Sequence, residues 1–480
     1  MRSSFAGLSI GWSAIMAQQR AIDITGHNIS NVNTPGYSRQ TVINTSTSPT
    51  YVGVSGNGRV MSVGTGVDVQ EIRQYKDFFL DQKIRRENKD LGYWEARKGS
   101  VEELETIFND NSEEGLQTVM DNFWNSWSEL SKPGGGLTAR SLVKENAIAF
   151  VETVKNLDNL LINYRKHRNS EIGENIDTLN GITKNIANLN YEIKKIEGGG
   201  VTANDLRSER DNYIDQLSKM ANIQVVDGDK MNIALEGMLL VSDTNQIPLV
   251  AVPDIGADGF YSIKWAKTME DIHIRGGSIK ALIESRDELV SGYKNKLNEF
   301  VKGVATEVNT IHKAGYGNLD PLLQTSMFVN SKDNTDLGID IGNIGYNPIL
   351  VEVNNIAAAI SPPPGNFEDN RNALKISEWR QQDVFSDETY VGVDGKYNFD
   401  EFYRNLITDI GLEGNKAANA AEAQDLLIEQ LEFKRQSLMA VSLDEEMSNL
   451  IRFEHSYNAA ARIVNALDEM LDLIVNRLGK

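Results

Sequence analysis

Cysteine is absent from this chain, so neither a disulfide framework nor a thiolate metal site can be built from it. Basic residues are outnumbered, 48 against 68 acidic, and the net charge of −20 opposes binding to phosphate backbones or anionic lipid. No apolar run approaches the roughly 20 residues of a membrane span. The N-terminus carries Arg2, but Ser, Gly and Gln interrupt its apolar residues, so a cleavable signal peptide is not expected. Histidine is scarce, and none of His27, His167, His273, His312 and His455 stands in an H-E-x-x-H or similar metal spacing. Also missing are a dinucleotide glycine fingerprint, a Walker lysine loop, G-x-S-x-G, and S-x-x-K with its partner motifs. The expectation is a non-enzyme with no cofactor and no metal.

What the chain does have is helical periodicity at both ends. Its 480 residues, 40% hydrophobic and 24% charged, suffice for about three domains. Near the start, Phe5, Leu8, Trp12, Ile15, Gln19, Ile22, Gly26 and Ile29 recur at steps of three and four, the seam of a coiled coil. Near the end, Leu443, Met447, Leu450, Tyr457, Ala461, Val464, Leu471, Val475 and Leu478 form a second seam, interrupted by Glu454 and Asp468. Ser442 and Glu445 read as a capping box at its start. The acidic run Asp444-Glu445-Glu446 then caps backbone donors and opposes the helix dipole rather than binding a cation. Neither seam can bury its apolar face alone, so the two termini read as halves of one helical pair.

Between the first helix and the rest lies Ala21 to Gln40, AIDITGHNISNVNTPGYSRQ. Asn28, Asn31 and Asn33 bond their own backbone readily, and Thr34 before Pro35 is pushed towards extended geometry. Pro35-Gly36 suits a tight turn. By itself this is a helix stop.

In combination the segments say more. NISNVNTPGYSRQ, GTGVDVQEIRQYKDFFL (Gly64 to Leu80) and SLDEEMSNLIRFEHSYNAAARIVNALDEMLDLI (Ser442 to Ile474) resemble the bacterial flagellar axial proteins. Tyr-Ser-Arg-Gln at Tyr37 to Gln40 points within that group to the hook-associated, hook–filament junction members, since rod and hook proteins usually carry Phe after the Pro-Gly. The region from about Tyr316 to Asp394 fits only loosely.

The middle of the chain alternates long helical patterns with short strands. A Gly-rich, β-branched stretch to Ile72 reads as strands and hairpins. Helical spacing returns from Phe79 to Phe108, and again over Leu116, Val119, Met120, Phe123, Trp127 and Leu130, where aromatics at helical spacing read as core. The longest helix is expected from about Thr138 to Ile196, with a polar patch around His167 and Arg168. Gly198-Gly199-Gly200 turns it into a returning helix, Asn204 to Ala221, an antiparallel hairpin at the far end of a long stalk. From Ile223 to Trp265 the period is two, a β-meander. Another helix follows from Ser278 to about His312. Residues 316 to 394 are irregular, with a few strands near Ile339 to Val353, and helix resumes at Phe399.

The expected fold is mainly α: a terminal α-helical coiled-coil pair, a long helical-bundle domain and a small inserted β-rich domain. The boundaries are 1–36 with 438–480 for the terminal, inner-tube unit, and 37–221 with 276–437 for the helical middle, which holds a β-hairpin segment at 40–75. Residues 222–275 make the β-rich insertion, which parts of 316–394 could join. The resemblance implies a structural subunit of the flagellum that joins hook to filament by self-assembly of its terminal helices. Implied partners are further copies (a homo-oligomer), the flagellar hook protein, the second hook–filament junction protein and an export chaperone, with no nucleic acid and no membrane. It also implies export through the flagellar type III pathway to an extracellular position. The candidate assembly residues are Asn28, Asn31, Asn33, Pro35, Gly36, Tyr37, Leu443, Met447, Leu450, Ile451, Tyr457 and Leu471. The chaperone would take Leu450, Tyr457, Val464 and Leu471. Two alternatives stand beside this: another axial protein of hook or rod type, or a secreted helical stalk with an adhesive or enzymatic head.

Overall fold

Helix forms wherever apolar residues recur at three and four. The computed structural model describes residues 6–34, 36–54, 60–108, 115–133, 136–226, 228, 230–254, 256, 258–320, 322–365, 367–383, 385–386 and 396–473. Its helices are α1 (Ala6–Ser30), α2 (Phe78–Phe108), α3 (Leu116–Leu130), α4 (Leu137–Glu197) and α5 (Asn204–Met220). Then come α6 (Gly277–Glu284), a π-turn at Ser285–Leu289, α7 (Val290–Lys313), α8 (Arg371–Trp379), α9 (Phe399–Met439) and α10 (Leu443–Asp472). The fold is mainly α, as expected.

The strands form small antiparallel sheets. β1 (Gln40–Ser46) pairs with β4 (Val67–Gln74), enclosing the hairpin of β2 (Thr50–Val54) and β3 (Val60–Val63). A four-stranded meander runs β5 (Ile223–Val226), β6 (Asn232–Leu235), β7 (Met238–Ser242) and β8 (Asn245–Gln246), and β9 (Leu249–Pro253) pairs with β10 (Tyr261–Trp265). Two further pairs, β11 (Phe328–Asn330) with β12 (Ile344–Tyr346) and β13 (Phe385–Ser386) with β14 (Lys396–Tyr397), lie in the irregular segment and just after it.

The 61 residues of α4 make one unbroken helix, about 90 Å long at 1.5 Å per residue. Its first half, from Val143 to Tyr164, packs with α3, α7, the end of α2 and the start of α9 in one apolar cluster. Its second half, from Ile172 to Ile186, packs with α5, α6 and β6, β7, β9 and β10 in another. Residues 316–394 contribute Met327, Phe328, Ile344, Leu350, Ile356 and Trp379 to the first cluster, beside helices and away from the β-meander.

The position of the α4–α5 hairpin differs from expectation. Its tip lies beside the terminal strands: Asn204 Nδ2 donates to Gln40 Oε1 (3.1 Å) and to the Ile72 carbonyl (2.9 Å). The chain goes out along α2 and α3 and returns along α4, which carries the tip back to where α2 began. The far end of the stalk is therefore the first cluster.

At the near end α10 lies along α1, and the line of contact is not the one the apolar residues mark. Ile15 is buried, but Trp12 is 60% exposed and Gln19 also faces outward, while Phe5 lies outside the described residues. Contact instead runs through Gly7, against Leu467, and Gly11, where a Cβ would stand 2.6 Å from Val464 Cγ2. Small residues let two helix backbones approach, and a count of apolar residues passes over them. On another side α1 packs on the β1–β4 pair, with the Val67 amide donating to Ser13 Oγ (3.3 Å).

Candidate assembly interface

The asparagines at the exit of α1 serve different ends. Asn28 is 1% exposed, and all four hydrogen-bonding positions of its amide are filled. Its Nδ2 donates to the Gln40 carbonyl and to Glu446 Oε2, both at 2.9 Å. Its Oδ1 accepts from the Tyr37 hydroxyl (2.8 Å) and the Gln40 amide (3.0 Å). One side chain thus ties the end of α1, the following turn, the start of β1 and the first turn of α10. The hydroxyl proton of Tyr37 is committed to Asn28, so His27 Nδ1, 3.0 Å away, donates to the phenol oxygen. Burial, with Asp205 nearby, pushes the Tyr37 phenol up and keeps it a donor.

Asn31 works locally, donating to the His27 carbonyl (3.0 Å) and accepting from Thr34 Oγ1 (3.2 Å). Asn33 faces solvent, and Pro35 lies outside the described residues. Gly36 has φ +74°, the left-handed region that favours glycine, while a Cβ there would only require the tip of the Asn212 side chain to move.

Arg39 and Glu446 complete the node. Glu446 is only 2% exposed, and a buried carboxylate needs a fixed partner. Arg39 Nη2 stands 2.6 Å from it, and Nη1 stands 2.8 Å from Glu445. The first-turn acids of α10 are therefore spent on an ion pair with the other end of the chain. Ser442 does cap the helix, accepting from the Glu445 amide at 3.5 Å, but the Glu445 carboxylate turns to Arg39. Gln40 extends the node to α5, its Nε2 donating to Asp205 at 2.8 Å. Beside it a cleft of about 440 Å³ opens among Tyr37, Asn212, Lys76, Asp81 and Arg435. There Arg435 and Arg85 converge on Asp215 at 2.7 and 2.8 Å, clamping α2, α5 and α9 together.

The C-terminal candidates divide by face. Leu450, Tyr457, Val464 and Leu471 are half-buried and share the helix face on which Val464, Leu467 and the buried Ala460 meet α1. Leu443 and Met447, each 48% exposed, and Ile451, 51% exposed, point away from α1. Val475 and Leu478 lie outside the described residues. Residue-level reading missed Arg39, Gln40, Glu446, Asn204 and Asp205. One signal was there: a lone arginine in the first motif and adjacent glutamates in the last.

Among the described residues no group of three or more His, Cys, Asp or Glu is placed to hold a metal ion. None of the described helices is long and apolar enough to cross a membrane.

Three family patterns match the chain. Residues 101–328 match the flagellar hook-associated protein FlgK helical domain, 8–37 the flagella basal body rod protein, and 437–478 the flagellar basal body rod FlgEFG protein C-terminal region. The chain is 29% identical to flagellar hook-associated protein 1 of Bacillus subtilis, over 100% of this chain and 99% of the relative. It is 24% identical to the protein of the same name from Escherichia coli, over 97% and 98%. The flagellar hook junction protein FlgK from Burkholderia pseudomallei shares the fold, with a TM-score of 0.59 at 13% identity, covering 75% of this chain and 100% of that one.

Proposed function

Since the chain belongs to the flagellar hook-associated protein 1 family, we propose that it enters the flagellar axis by packing its terminal helix pair against neighbouring copies and other axial proteins. It is a structural subunit of the bacterial flagellum at the hook–filament junction. The observation that carries the mechanism is the outward face of α10, where Leu443, Met447 and Ile451 remain exposed after α1 has covered the opposite side. Exposed apolar residues on one helix edge become stabilising once a neighbour removes them from water.

The roles divide accordingly. Asn28, Asn31, Gly36 and Tyr37 set the angle at which the pair leaves the stalk, and Asn33 and Pro35 are kept with them as assembly residues. Leu450, Tyr457 and Leu471 hold α1, and Leu443, Met447 and Ile451 meet the next subunit. Residues 1–36 and 438–480 form the inner-tube unit, 37–221 and 276–437 the wall, and 222–275 an insertion on the wall. The neighbours are further copies, the flagellar hook protein and the second hook–filament junction protein. Before assembly an export chaperone takes Leu450, Tyr457, Val464 and Leu471. Val464 lies against Gly11 of α1 and the other three share its helix face, so chaperone binding and docking on α1 would compete for one face. The flagellar type III pathway delivers the chain, which works by packing and not by catalysis. The rod and hook alternative is disfavoured by the match of 101–328 to a hook-associated helical domain.

The test is Met447→Glu combined with Ile451→Glu. The variant monomer should keep wild-type circular dichroism and melting, because neither side chain is buried, yet fail to build a hook–filament junction in cells lacking the native protein. Junctions formed at normal frequency would sink the proposal.

A further inference from the structure

The two apolar clusters of the stalk meet in no helix that runs through both. On α4 the first ends at Tyr164 and the second starts at Ile172, and the intervening Arg165–Glu171 buries no apolar side chain. Along α6 and α7 the change falls between Leu282 and Leu289, the stretch that contains the π-turn.

Polar side chains from α2, α4, α6, the π-turn and α9 fill this gap. Arg286 Nη1 donates to Asn169 Oδ1 (2.8 Å) and to the Tyr261 carbonyl (2.9 Å), joining α7's π-turn to α4 and β10. The Tyr93 hydroxyl donates to Glu284 at 2.7 Å, joining α2 to α6. Arg97 pairs with Glu413 at 2.8 Å, joining α2 to α9, and Arg168 pairs with Glu103, joining α4 to α2. Two buried donors, Arg168 Nε and Ser285 Oγ, have no hydrogen-bond partner among the described residues. A fully apolar layer would have left no such atoms.

The helices are also weakened at this level. The π-turn interrupts the regular hydrogen-bond ladder between α6 and α7. Gly99 lies within a turn of Arg97 on α2, and Gly411 within a turn of Glu413 on α9. Neither has any atom within 4 Å of where a Cβ would stand, so packing does not call for glycine at either. On α4, Ser170 Oγ donates to the Lys166 carbonyl (3.2 Å), a bond that competes with the ladder.

We propose that this polar layer is a flexing joint. The lobe carrying α3, α8 and the irregular segment tilts about it relative to the lobe beside the terminal pair. Interdigitated apolar side chains resist shear, whereas long charged side chains can follow their partners over small displacements. Helices bend at π-turns and at glycine, and here several share one level.

The chain's lack of cysteine makes site-specific spin labelling clean. Labels on the full chain at Val226→Cys and Leu374→Cys, both exposed, span the layer, and labels at Val226→Cys and Tyr191→Cys stay within one lobe. Pulsed dipolar spectroscopy should find the spanning distribution about twofold broader than the control. Adding Gly99→Ala and Gly411→Ala should narrow the spanning distribution towards the control width and leave the control unchanged. A spanning distribution no broader than the control overturns the proposal, and so does one that the alanine pair leaves as broad as before.

Discussion

α4 and α10 are both long amphipathic helices, yet they end up in opposite conditions. Of the 61 residues of α4, twenty are buried, in two runs that the rest of the chain closes over. Of the 30 residues of α10, only Glu446 and Ala460 are buried. The other apolar positions of α10 are half-buried or exposed. A helix with a good seam and little burial within its own chain keeps apolar surface in water, the surface on which the proposed packing against neighbours rests. The far lobe is closed by apolar packing, whereas the terminal pair is positioned by hydrogen bonds and one buried ion pair.

That contrast can be broken in order of expected effect. Phe123 is fully buried in the far lobe with its ring stacked on Phe150 at 6.1 Å. Phe123→Ala should cost about 4 kcal/mol and lower the main thermal transition, read by calorimetry. A loss confined to the terminal helices would contradict that contrast.

Acid should strike the same lobe. Burial holds the His312 imidazole down at about 4, helped by the charge of Arg140, while its bond to the Thr325 carbonyl opposes the shift. Its Nδ1–H donates to that carbonyl (2.6 Å), and its Nε2 accepts from the Ala357 amide (3.0 Å), which fixes the neutral ring. Unfolded, it titrates near 6.5. Between those values only the unfolded chain takes the proton, so this contribution is whole above about pH 6.5 and falls as pH drops towards 4, by about 3 kcal/mol. Denaturant midpoints across that window should show the decline, and His312→Gln should flatten it.

The terminal node should fail locally. Arg39→Ala leaves Glu446 buried beside Asn28 without its cation, at a cost of about 2 kcal/mol given that Arg39 itself is partly exposed. Hydrogen exchange should speed up in α1 and α10 and stay unchanged across the far lobe. The smallest effect is expected at Ser442, whose side chain caps α10. Ser442→Ala should loosen the first turn of that helix by about 1 kcal/mol. If that substitution shifted the main thermal transition, the two regions would not be energetically separate.

The helices, the strands of 40–72 and the meander of 223–265 were legible because their periods are local properties of the chain. Individual partners were not. Asn28, Asn31 and Asn33 all read as helix-ending residues, and it takes the folded positions of Tyr37, Gln40 and Glu446, the last more than four hundred residues later, to separate Asn28 from the other two. The α1 seam was misread for a related reason. Hydrophobicity marks Trp12, but close approach is decided by Gly11, which has no side chain to count. Leu443, Met447 and Leu450 share one repeat in sequence, and the helix turns the first two away from α1.

By itself the sequence determined the mainly helical class, the paired ends and the lack of any metal or nucleophile motif, since composition and spacing act over a few residues. Tertiary structure alone decided which face of α10 is left open, that the α4 hairpin returns to the terminal turn, and that polar residues from several helices meet in one layer. Those are meetings of side chains far apart in the chain, and no local period encodes them.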